Sequence, residues 1–327
     1  MNNAVFKGPF KDIIPLYIKY MQSQGYKYEA GIQQLKALDE YFRTNRFTNI
    51  EITEEIAINI CKRRNEKESA NTIYKRQHII KSFALFLQNQ GYNNFYVYNY
   101  EYINEKSLFQ PYIFTDEEIN KIFNYIDNTD LQEVLNIRDL NFNQNTRMLL
   151  KLIYCCGLRK SEALYLKLND VDINKGTILI RESKNYCSRI IPISNSLVLE
   201  LKNHIKSNIF TNNDYLFTKS NGKIYDKHFS EKFKLILKQL NIATETGNSP
   251  RLHDLRFTFA VKALEKMQEE GQDIYCTLPI LSVYMGHKDV KSTEYYLKYT
   301  KVVRNKINIQ MEKFNYDIFE KEGNFNA

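Results

Sequence analysis

The chain has 327 residues, with 46 basic and 38 acidic side chains, which gives a formal net charge of +8. Its 43% hydrophobic and 26% charged residues are typical of a soluble globular protein and exclude an intrinsically disordered chain, and the length suits two domains. The 11 glycines are spaced so that neither a GxxxxGK[ST] phosphate loop nor a GxGxxG dinucleotide turn occurs, which argues against nucleotide chemistry of those two kinds.

The cysteines and the apolar segments indicate where the protein works. The five cysteines are an odd number and form no CxxC pair, so we expect neither a disulfide framework nor a zinc site. The most apolar run, residues 148–158, contains Lys151 and is far shorter than the roughly 20 residues that a membrane helix needs. No signal-like segment opens the sequence. We therefore expect a cytoplasmic protein with reduced thiols and no membrane contact.

Residues 1–98 have apolar residues at helical spacing and are predicted to form a unit of about four helices. The first 100 residues carry 14 Lys and Arg against nine Asp and Glu. Clusters of basic residues are most often solvated helix faces, but neighbouring tyrosines and amides make a DNA-facing surface more plausible here. The candidate DNA contacts are Lys62, Arg63, Arg64, Lys75 and Arg76. Residues 99–112 lose the periodicity and are predicted to be a linker that ends near Pro111.

A second domain is predicted over residues 113–300. Thr115 and Glu118 form a capping-box pattern that opens its first helix. Two β-branched runs, 177–181 and 189–193, flank a polar turn and indicate a hairpin. Residues 301–327 form an amphipathic tail that packs either in cis or on a neighbouring subunit. The fold class is therefore mainly α, with one small antiparallel sheet; the other predicted helices span about 116–125, 145–154, 160–166, 197–207, 227–240, 252–270, 279–285 and 292–299.

Four short segments of the second domain combine residues suited to phosphate chemistry. Alone, each has an ordinary explanation: an Arg with a carboxylate three residues later is usually a surface ion pair, and a His at a helix end often caps carbonyl groups. Their order along the chain is more specific than any one of them. The segments are Gly157-x-Arg159-x-x-Glu162, His253-x-x-Arg256, Gly286-His287, and a tyrosine, Tyr296, nine residues after that histidine.

This order, with a lysine in the hairpin between the first two segments, resembles the tyrosine recombinase (phage integrase) family. The resemblance covers residues 114–300, and the N-terminal helical unit is similar to the core-binding domain of that family. It implies a two-domain clamp around double-stranded DNA and site-specific cutting and rejoining through a 3′-phosphotyrosine, with no metal, ATP or other cofactor. Recombination sites in double-stranded DNA, a homo-tetramer at synapsis and accessory DNA-bending or directionality proteins are the partners it implies.

The chemistry suggests a role for each residue. Planar guanidiniums match phosphate oxygens, so Arg159 and Arg256 are expected to clamp the scissile phosphate, while Glu162 orients Arg159. A phenol has a pKa near 10 and needs a base to attack at neutral pH, a role that suits His253. The resemblance supplies the remaining roles: Tyr296 is the nucleophile, Lys184 protonates the leaving 5′-oxygen, and His287 donates to a phosphate oxygen.

Several alternatives stay open at this stage. Tyr295 is the less favoured nucleophile, and Lys175 lies near the other end of the first hairpin strand from Lys184. His78, His204 and His228 are assigned to structure or surface, and no metal site is expected. Type IB topoisomerase-like relaxation and chromosome or plasmid dimer resolution are alternatives to integration, excision or transposition of a mobile element. A catalytically silent DNA-binding relative and a helical scaffold with accidental motifs are the alternatives from other classes.

Overall fold

A computed structural model of the chain describes residues 5–26, 28–66, 68–93, 95–97, 110–181, 188–207, 215–219, 221 and 229–300. The chain divides into two units, Met1–Phe109 and Gln110–Ala327, and each has its own buried apolar core. None of the helices within those described ranges is both long enough and apolar enough to cross a bilayer.

The first unit contains the four predicted helices, α1 (Ile13–Ser23), α2 (Glu29–Thr44), α3 (Glu54–Cys61) and α4 (Ala70–Asn89). The side chains of Thr53 and Ser69 cap α3 and α4 by accepting backbone N–H groups of their first turns. The apolar stripes of the helices meet in one core that is rich in aromatic rings, as where Phe10 packs edge-on against Phe42 with the ring centroids 5.0 Å apart. The predicted helical bundle is confirmed.

The expectation that Arg76 contacts DNA is wrong, because this side chain is buried. Only 1% of Arg76 is exposed, and its guanidinium is paired with Glu68 while Nη1 donates to the carbonyl of Lys62 at 2.8 Å. Consecutive helical residues point about 100° apart, so Lys75 faces solvent while Arg76 faces inward. Arg76 therefore holds the segment that carries Lys62, Arg63 and Arg64, and these three side chains are exposed.

The second unit is built around α7, which packs against α5, α8, α9 and α11. Thr115 and Glu118 form the predicted capping box at the start of α5, each side chain accepting the other's backbone N–H. The helices are α5 (Asp116–Asn128), α6 (Leu131–Val134), α7 (Phe142–Cys155), α8 (Lys160–Leu164), α9 (Asn195–Ser207), α10 (Phe229–Gln239), α11 (Leu252–Glu269), α12 (Ile274–Met285) and α13 (Lys291–Glu294), with 3₁₀ turns at Leu168–Asp170 and Leu297–Tyr299.

A three-stranded antiparallel sheet covers one side of this unit, in the order β1 (Val171–Asp172), β2 (Thr177–Ile180) and β3 (Arg189–Pro192). The pairing of β2 with β3 confirms the predicted hairpin, and β1 adds a short strand that the sequence did not indicate. Ile178 pairs with Ile191 and Ile180 pairs with Arg189, so these four side chains share the inward face. The turn of the hairpin, with Lys184, lies outside the described residues.

Two predicted helix boundaries are wrong. Helix α12 begins at Ile274 instead of near Pro279, because Asp273 caps it by accepting the N–H of Tyr275 and the proline sits inside the helix. The single helix expected over 292–299 is instead α13 followed by a 3₁₀ turn. Here the backbone bonds connect residues three apart, as from Tyr296 N–H to the carbonyl of Thr293, so the segment is wound more tightly than an α-helix.

We predict that Arg76→Met lowers the stability of the first unit by about 3 kcal/mol, because it leaves the Glu68 carboxylate without its buried partner. The matched variant Lys75→Met removes an exposed cation next to it and should change stability by less than about 0.5 kcal/mol. Amide hydrogen exchange of helices α1–α4 in the full-length chain measures both changes. Equal protection in the two variants would show that Arg76 is not a structural residue.

Candidate active site

In the second unit, three arginines surround the carboxylate of Glu162. Arg159 Nη1 donates to Oε1 at 2.7 Å, while Arg189 donates to both oxygens, at 3.1 and 2.9 Å. Arg256 Nη1 lies 3.8 Å from Oε2. Burial alone would raise the pKa of Glu162, but the hydrogen bonds and charges of Arg189 and Arg159 lower it to about 2. The carboxylate is therefore ionised at any pH at which the protein works.

Two glycines in the left-handed region bring these arginines together. Gly157, with φ of 57°, ends α7, and a Cβ there would collide with Phe259 and Met285. The turn that follows places Arg159 at the N-cap of α8, with Glu162 in its first turn. Gly286, with φ of 66°, ends α12, and its carbonyl accepts Nη2 of Arg159 at 2.8 Å. The ends of α7 and α12 thus fix the position of the Arg159 guanidinium.

Arg256, on α11, is the most buried of the three arginines, with 1% of the residue exposed. Its Nη1 donates to the carbonyl of Gly157, and its Nη2 donates to the carbonyl of Met285 at 2.8 Å. Burial is the larger cause and the charge of Arg159 the next in lowering the pKa of Arg256 to about 10. The guanidinium therefore stays charged at neutral pH. The side chain of Arg159 is 21% exposed, so of these two cations it is the more accessible to solvent.

His287 contacts Arg256 directly, with 3.1 Å between Nε2 and Nη2. A guanidinium only donates hydrogen bonds, so Nε2 accepts, and the proton is on Nδ1, which donates to Thr293 Oγ1 at 2.8 Å. Burial and the charges of Arg256 and Arg159 lower the pKa of His287 to about 4. Nε2 of His287 is therefore an acceptor in this arrangement. The donation to phosphate expected of His287 would require, at Nε2, both that the bond to Arg256 opens and that this nitrogen gains a proton.

Tyr296 lies against this cluster, whereas the ring contacts of Tyr295 are with Phe257 and Tyr299. The ring of Tyr296 stacks on His287 at 5.8 Å between centroids and packs edge-on against Phe257 at 4.5 Å. Burial raises the pKa of Tyr296 even though the charges of Arg256 and Arg159 act to lower it. Tyr295 is 42% exposed and shares a hydrogen bond with the hydroxyl of Tyr299 at 3.1 Å. The geometry therefore favours Tyr296 over Tyr295 as the reactive phenol.

The other predicted site residues lie further out or outside the described residues. His253 lies in the first turn of α11, three residues before Arg256. Part of its surface reaches solvent, but partial desolvation together with the charges of Arg256 and Arg251 lowers its pKa. Lys184 lies outside the described residues. Lys175 is 80% exposed and pairs with Asp172 at 3.4 Å.

Of the histidines that were assigned to structure or surface, His204 is 6% exposed and packs on Phe217, with the ring centroids 5.4 Å apart. Desolvation by burial lowers the pKa of His204 to about 4. His78 is exposed and stacks on Tyr74. His228 lies outside the described residues.

Sequence reasoning missed Arg189 and Thr293. Arg189 carried one usable signal: it stands at an inward position of a strand whose other inward residue, Ile191, is fully buried. A cation in that register requires a buried anion, and Glu162 supplies it. Thr293 carried no signal, since its hydroxyl becomes a partner of His287 only through the turn of the chain after Gly286.

Comparison with known proteins identifies the family. The model of the phage integrase family matches residues 113–302, which is more than half of the chain. The chain belongs to the phage integrase family. The resemblance drawn from the spaced motifs is thereby confirmed.

Two relatives in the phage integrase family illustrate the range of similarity. The chain is 35% identical over 153 residues to a putative integrase/recombinase, y4rB, of Sinorhizobium fredii, covering 45% of this chain and 49% of that protein. It is 31% identical over 195 residues to the tyrosine recombinase XerA of Pyrococcus horikoshii, covering 60% and 59%. The chain thus spans about half to three fifths of the length of these curated relatives.

Solved structures support the fold. The XerH site-specific recombinase, bound to its palindromic difH substrate in a post-cleavage complex, matches with a TM-score of 0.62 at 21% identity, covering 86% of this chain and 80% of that one. The Tn1549 transposon integrase, in complex with transposon right end DNA, also matches at 0.62, with 16% identity and coverage of 92% and 98%. The mainly α fold with a small antiparallel sheet is confirmed.

We predict that the imidazoles of His287 and His204 stay neutral down to about pH 4, since burial lowers both pKa values to about 4. Histidine ¹³Cε1 shifts followed from pH 8 to pH 4 measure this, with His287→Asn and His204→Asn assigning the signals. His287 should also show the Nδ1–H tautomer in its ¹⁵N shifts. A midpoint for His287 near the unperturbed value of about 6.5 would contradict the arrangement described here.

Proposed function

We propose that the protein is a site-specific DNA recombinase that cuts and rejoins strands through a 3′-phosphotyrosine. The observation that carries the proposal is the packing of Tyr296 on His287 next to the arginine cluster. Glu162 and its three arginines together carry a net charge of +2, which is suited to a phosphodiester and to the further negative charge on its oxygens during transfer.

Position and protonation state support the roles of Tyr296 and His253, and the role of Lys184 is taken from the family resemblance. The Tyr296 hydroxyl oxygen attacks phosphorus, the bond to the 5′-oxygen breaks, and a 3′-phosphotyrosine forms. The phenol proton goes to His253, whose lowered pKa keeps it neutral and able to accept. Lys184 gives a proton to the 5′-oxygen. Reversal with a new 5′-hydroxyl rejoins the strand, and because the phosphotyrosine retains the diester bond energy, the chemistry requires no ATP.

The arginines bind the non-bridging oxygens. Arg159 is partly exposed and is the first to meet the phosphate, while Arg256 reaches it by giving up its bond to His287 or to a carbonyl group. Tyr296 is 6% exposed, so it has to emerge from its contact with Phe257 before it can attack. The segment after Gly286 consists of one short helix and a 3₁₀ turn, so this movement breaks few backbone hydrogen bonds.

Double-stranded recombination sites are the proposed substrate, with a homo-tetramer at synapsis and accessory DNA-bending or directionality proteins as further partners. The exposed cations Lys62, Arg63, Arg64 and Lys75 of the first unit are the proposed contacts to backbone phosphates. Integration, excision or transposition of a mobile element is the proposed role. Dimer resolution uses the same chemistry and differs in the DNA site.

We predict that the protein forms a covalent adduct with fragments of the DNA that flanks its own gene, and that Tyr296→Phe binds the same fragments but forms none. Tyr295→Phe, which removes the neighbouring hydroxyl, should retain adduct formation. Fragments trapped on the protein in detergent and sequenced at the attached end map the cleavage position. An adduct that persists in Tyr296→Phe would refute the assignment of the nucleophile. Relaxation of a supercoiled plasmid without paired sites would favour the topoisomerase alternative.

We predict that replacing Lys62, Arg63 and Arg64 together by glutamine reduces the salt dependence of DNA binding. Each lost phosphate contact lowers the slope of log K against log salt by about 0.9, so the loss of two or three contacts lowers it by about 2 to 3. Lys238→Gln, an exposed cation on α10, is the control and should leave the slope unchanged. Fluorescence anisotropy on the mapped duplex over a range of salt measures both slopes. An unchanged slope in the triple variant would remove this segment from the DNA interface.

A further inference from the structure

Arg189 lies at the base of the hairpin and points into the active site. Only 9% of its side chain is exposed, it pairs across the sheet with Ile180, and it shares the inward face with Ile191. The next residue, Ile190, is 68% exposed, which confirms that the strand alternates and that the arginine occupies a core position. A cation at such a position is unfavourable unless its hydrogen bonds are satisfied.

The guanidinium of Arg189 is satisfied by two separate elements. Its two terminal nitrogens bind both oxygens of Glu162, at 3.1 and 2.9 Å, in a bidentate pair. Its Nε donates at 2.8 Å to the carbonyl of Tyr284 in the last turn of α12. A Cβ at Gly286 would collide with it, so the guanidinium lies directly beneath the residue that precedes His287. One side chain thus joins the hairpin, the start of α8 and the end of α12.

These contacts decide how Arg159 is held. Arg189 occupies both carboxylate oxygens, so Arg159 has one side-chain bond to Oε1, and its other terminal nitrogen bonds to the Gly286 carbonyl. Oε2 also accepts the backbone N–H of Arg159 at 3.0 Å. Without Arg189, Oε1 keeps its bond from Arg159 Nη1 and Oε2 keeps this backbone bond, so a second side-chain bond from Arg159 to Oε2 becomes possible. Its planar guanidinium would then turn to form its own bidentate pair with the carboxylate, because this is the preferred geometry of the two groups. An arginine turned in that way presents a different edge to the phosphate.

We propose that Arg189 is a positioning residue for the phosphate clamp: by occupying Glu162, it keeps Arg159 in the orientation that binds the scissile phosphate. The proposal rests on the proposed recombinase function. Arg189 itself does not touch DNA in this role. Its replacement should therefore leave DNA affinity unchanged and slow the chemical step, with a loss on the order of 10- to 100-fold, as for other residues that orient a ligand-binding side chain.

The test is a double-mutant cycle on the rate of adduct formation with a nicked duplex that carries the mapped cleavage site. Arg189→Met should slow the reaction, and Arg159→Ala should slow it more, by about 10²- to 10³-fold for the loss of a phosphate-binding donor. If Arg189 acts through Arg159, the double variant should be no slower than Arg159→Ala alone. If the two losses multiply, Arg189 acts elsewhere and the proposal is overturned.

A duplex with sulfur in place of the bridging 5′-oxygen distinguishes a loss of phosphate binding from a loss of the proton that Lys184 is proposed to supply. A thiolate leaves without a proton, so this duplex should restore the rate of Lys184→Ala and leave Arg189→Met slow. Restoration of Arg189→Met by sulfur would mean that Arg189 acts through the hairpin turn and would overturn the proposal.

Two controls separate a positioning effect from loss of structure. Arg189→Lys keeps the charge without the planar pair and should be slower than wild type, whereas full activity would mean that charge alone suffices and would also overturn the proposal. It replaces Arg189→Met if that variant does not fold. Ile190→Thr changes the 68% exposed neighbour of Arg189 on the same strand and should react near the wild-type rate. If the wild-type chain forms no adduct, the proposed function has failed; if only the cycle fails, the inference about Arg189 has failed alone.

Discussion

The buried carboxylate of Glu162 is the interaction on which the rest of the active site depends. A lone negative charge at 4% side-chain exposure is unfavourable, and the three guanidiniums around Glu162 carry more positive charge than is needed to neutralise it. The remaining positive charge is also unfavourable when buried, unless backbone carbonyl groups accept hydrogen bonds from the guanidiniums. Such carbonyl groups are present for Arg159, Arg189 and Arg256. Charge and backbone geometry therefore have to be satisfied together, and the two helix ends that supply the carbonyls are held in place by the same arginines.

The histidine and the tyrosine owe their properties to this surplus. His287 is kept neutral because it is buried among cations, and Tyr296 packs on its flat face as it would on an apolar ring. The arginines act to lower the pKa of the phenol, whereas burial acts in the opposite direction and prevails. A phenol that is covered in this way stays protonated at neutral pH, and in the proposed reaction it would gain reactivity on leaving the apolar contact with Phe257.

Much of this could be predicted from the sequence, because the information is local. The helices follow from apolar periodicity, the start of α5 from Thr115 and Glu118, and the pairing of Arg159 with Glu162 from a spacing of three residues. The order of the motifs identified the family. Periodicity could not show that Arg76 turns inward toward Glu68 while Lys75 faces solvent, since both are cations in a basic cluster.

What stayed hidden depends on contacts between segments that are distant in sequence. Arg189 and Tyr284 are 95 residues apart, and Arg159 and Gly286 are 127 residues apart, so no spacing rule connects them. The length of α12 was misjudged because Pro279 looked like a first residue, although the capping side chain is Asp273. The contact of His287 with Thr293 spans only six residues, yet it too forms only once the chain has turned at Gly286.

The left-handed glycines at 157 and 286 have a consequence for how such a site changes over time. Arg159 and Arg256, the two arginines proposed to bind phosphate, are oriented by carbonyl oxygens at or beside these glycines, and a carbonyl oxygen is present whatever side chain a residue carries. Mutation can exchange many of the surrounding side chains without losing those acceptors, yet any change that alters the path of the backbone at either glycine misdirects a cation. The site thus tolerates substitution of the surrounding side chains but not a change in the backbone at these two glycines. Grafting the charged residues alone onto another scaffold would therefore not reproduce it.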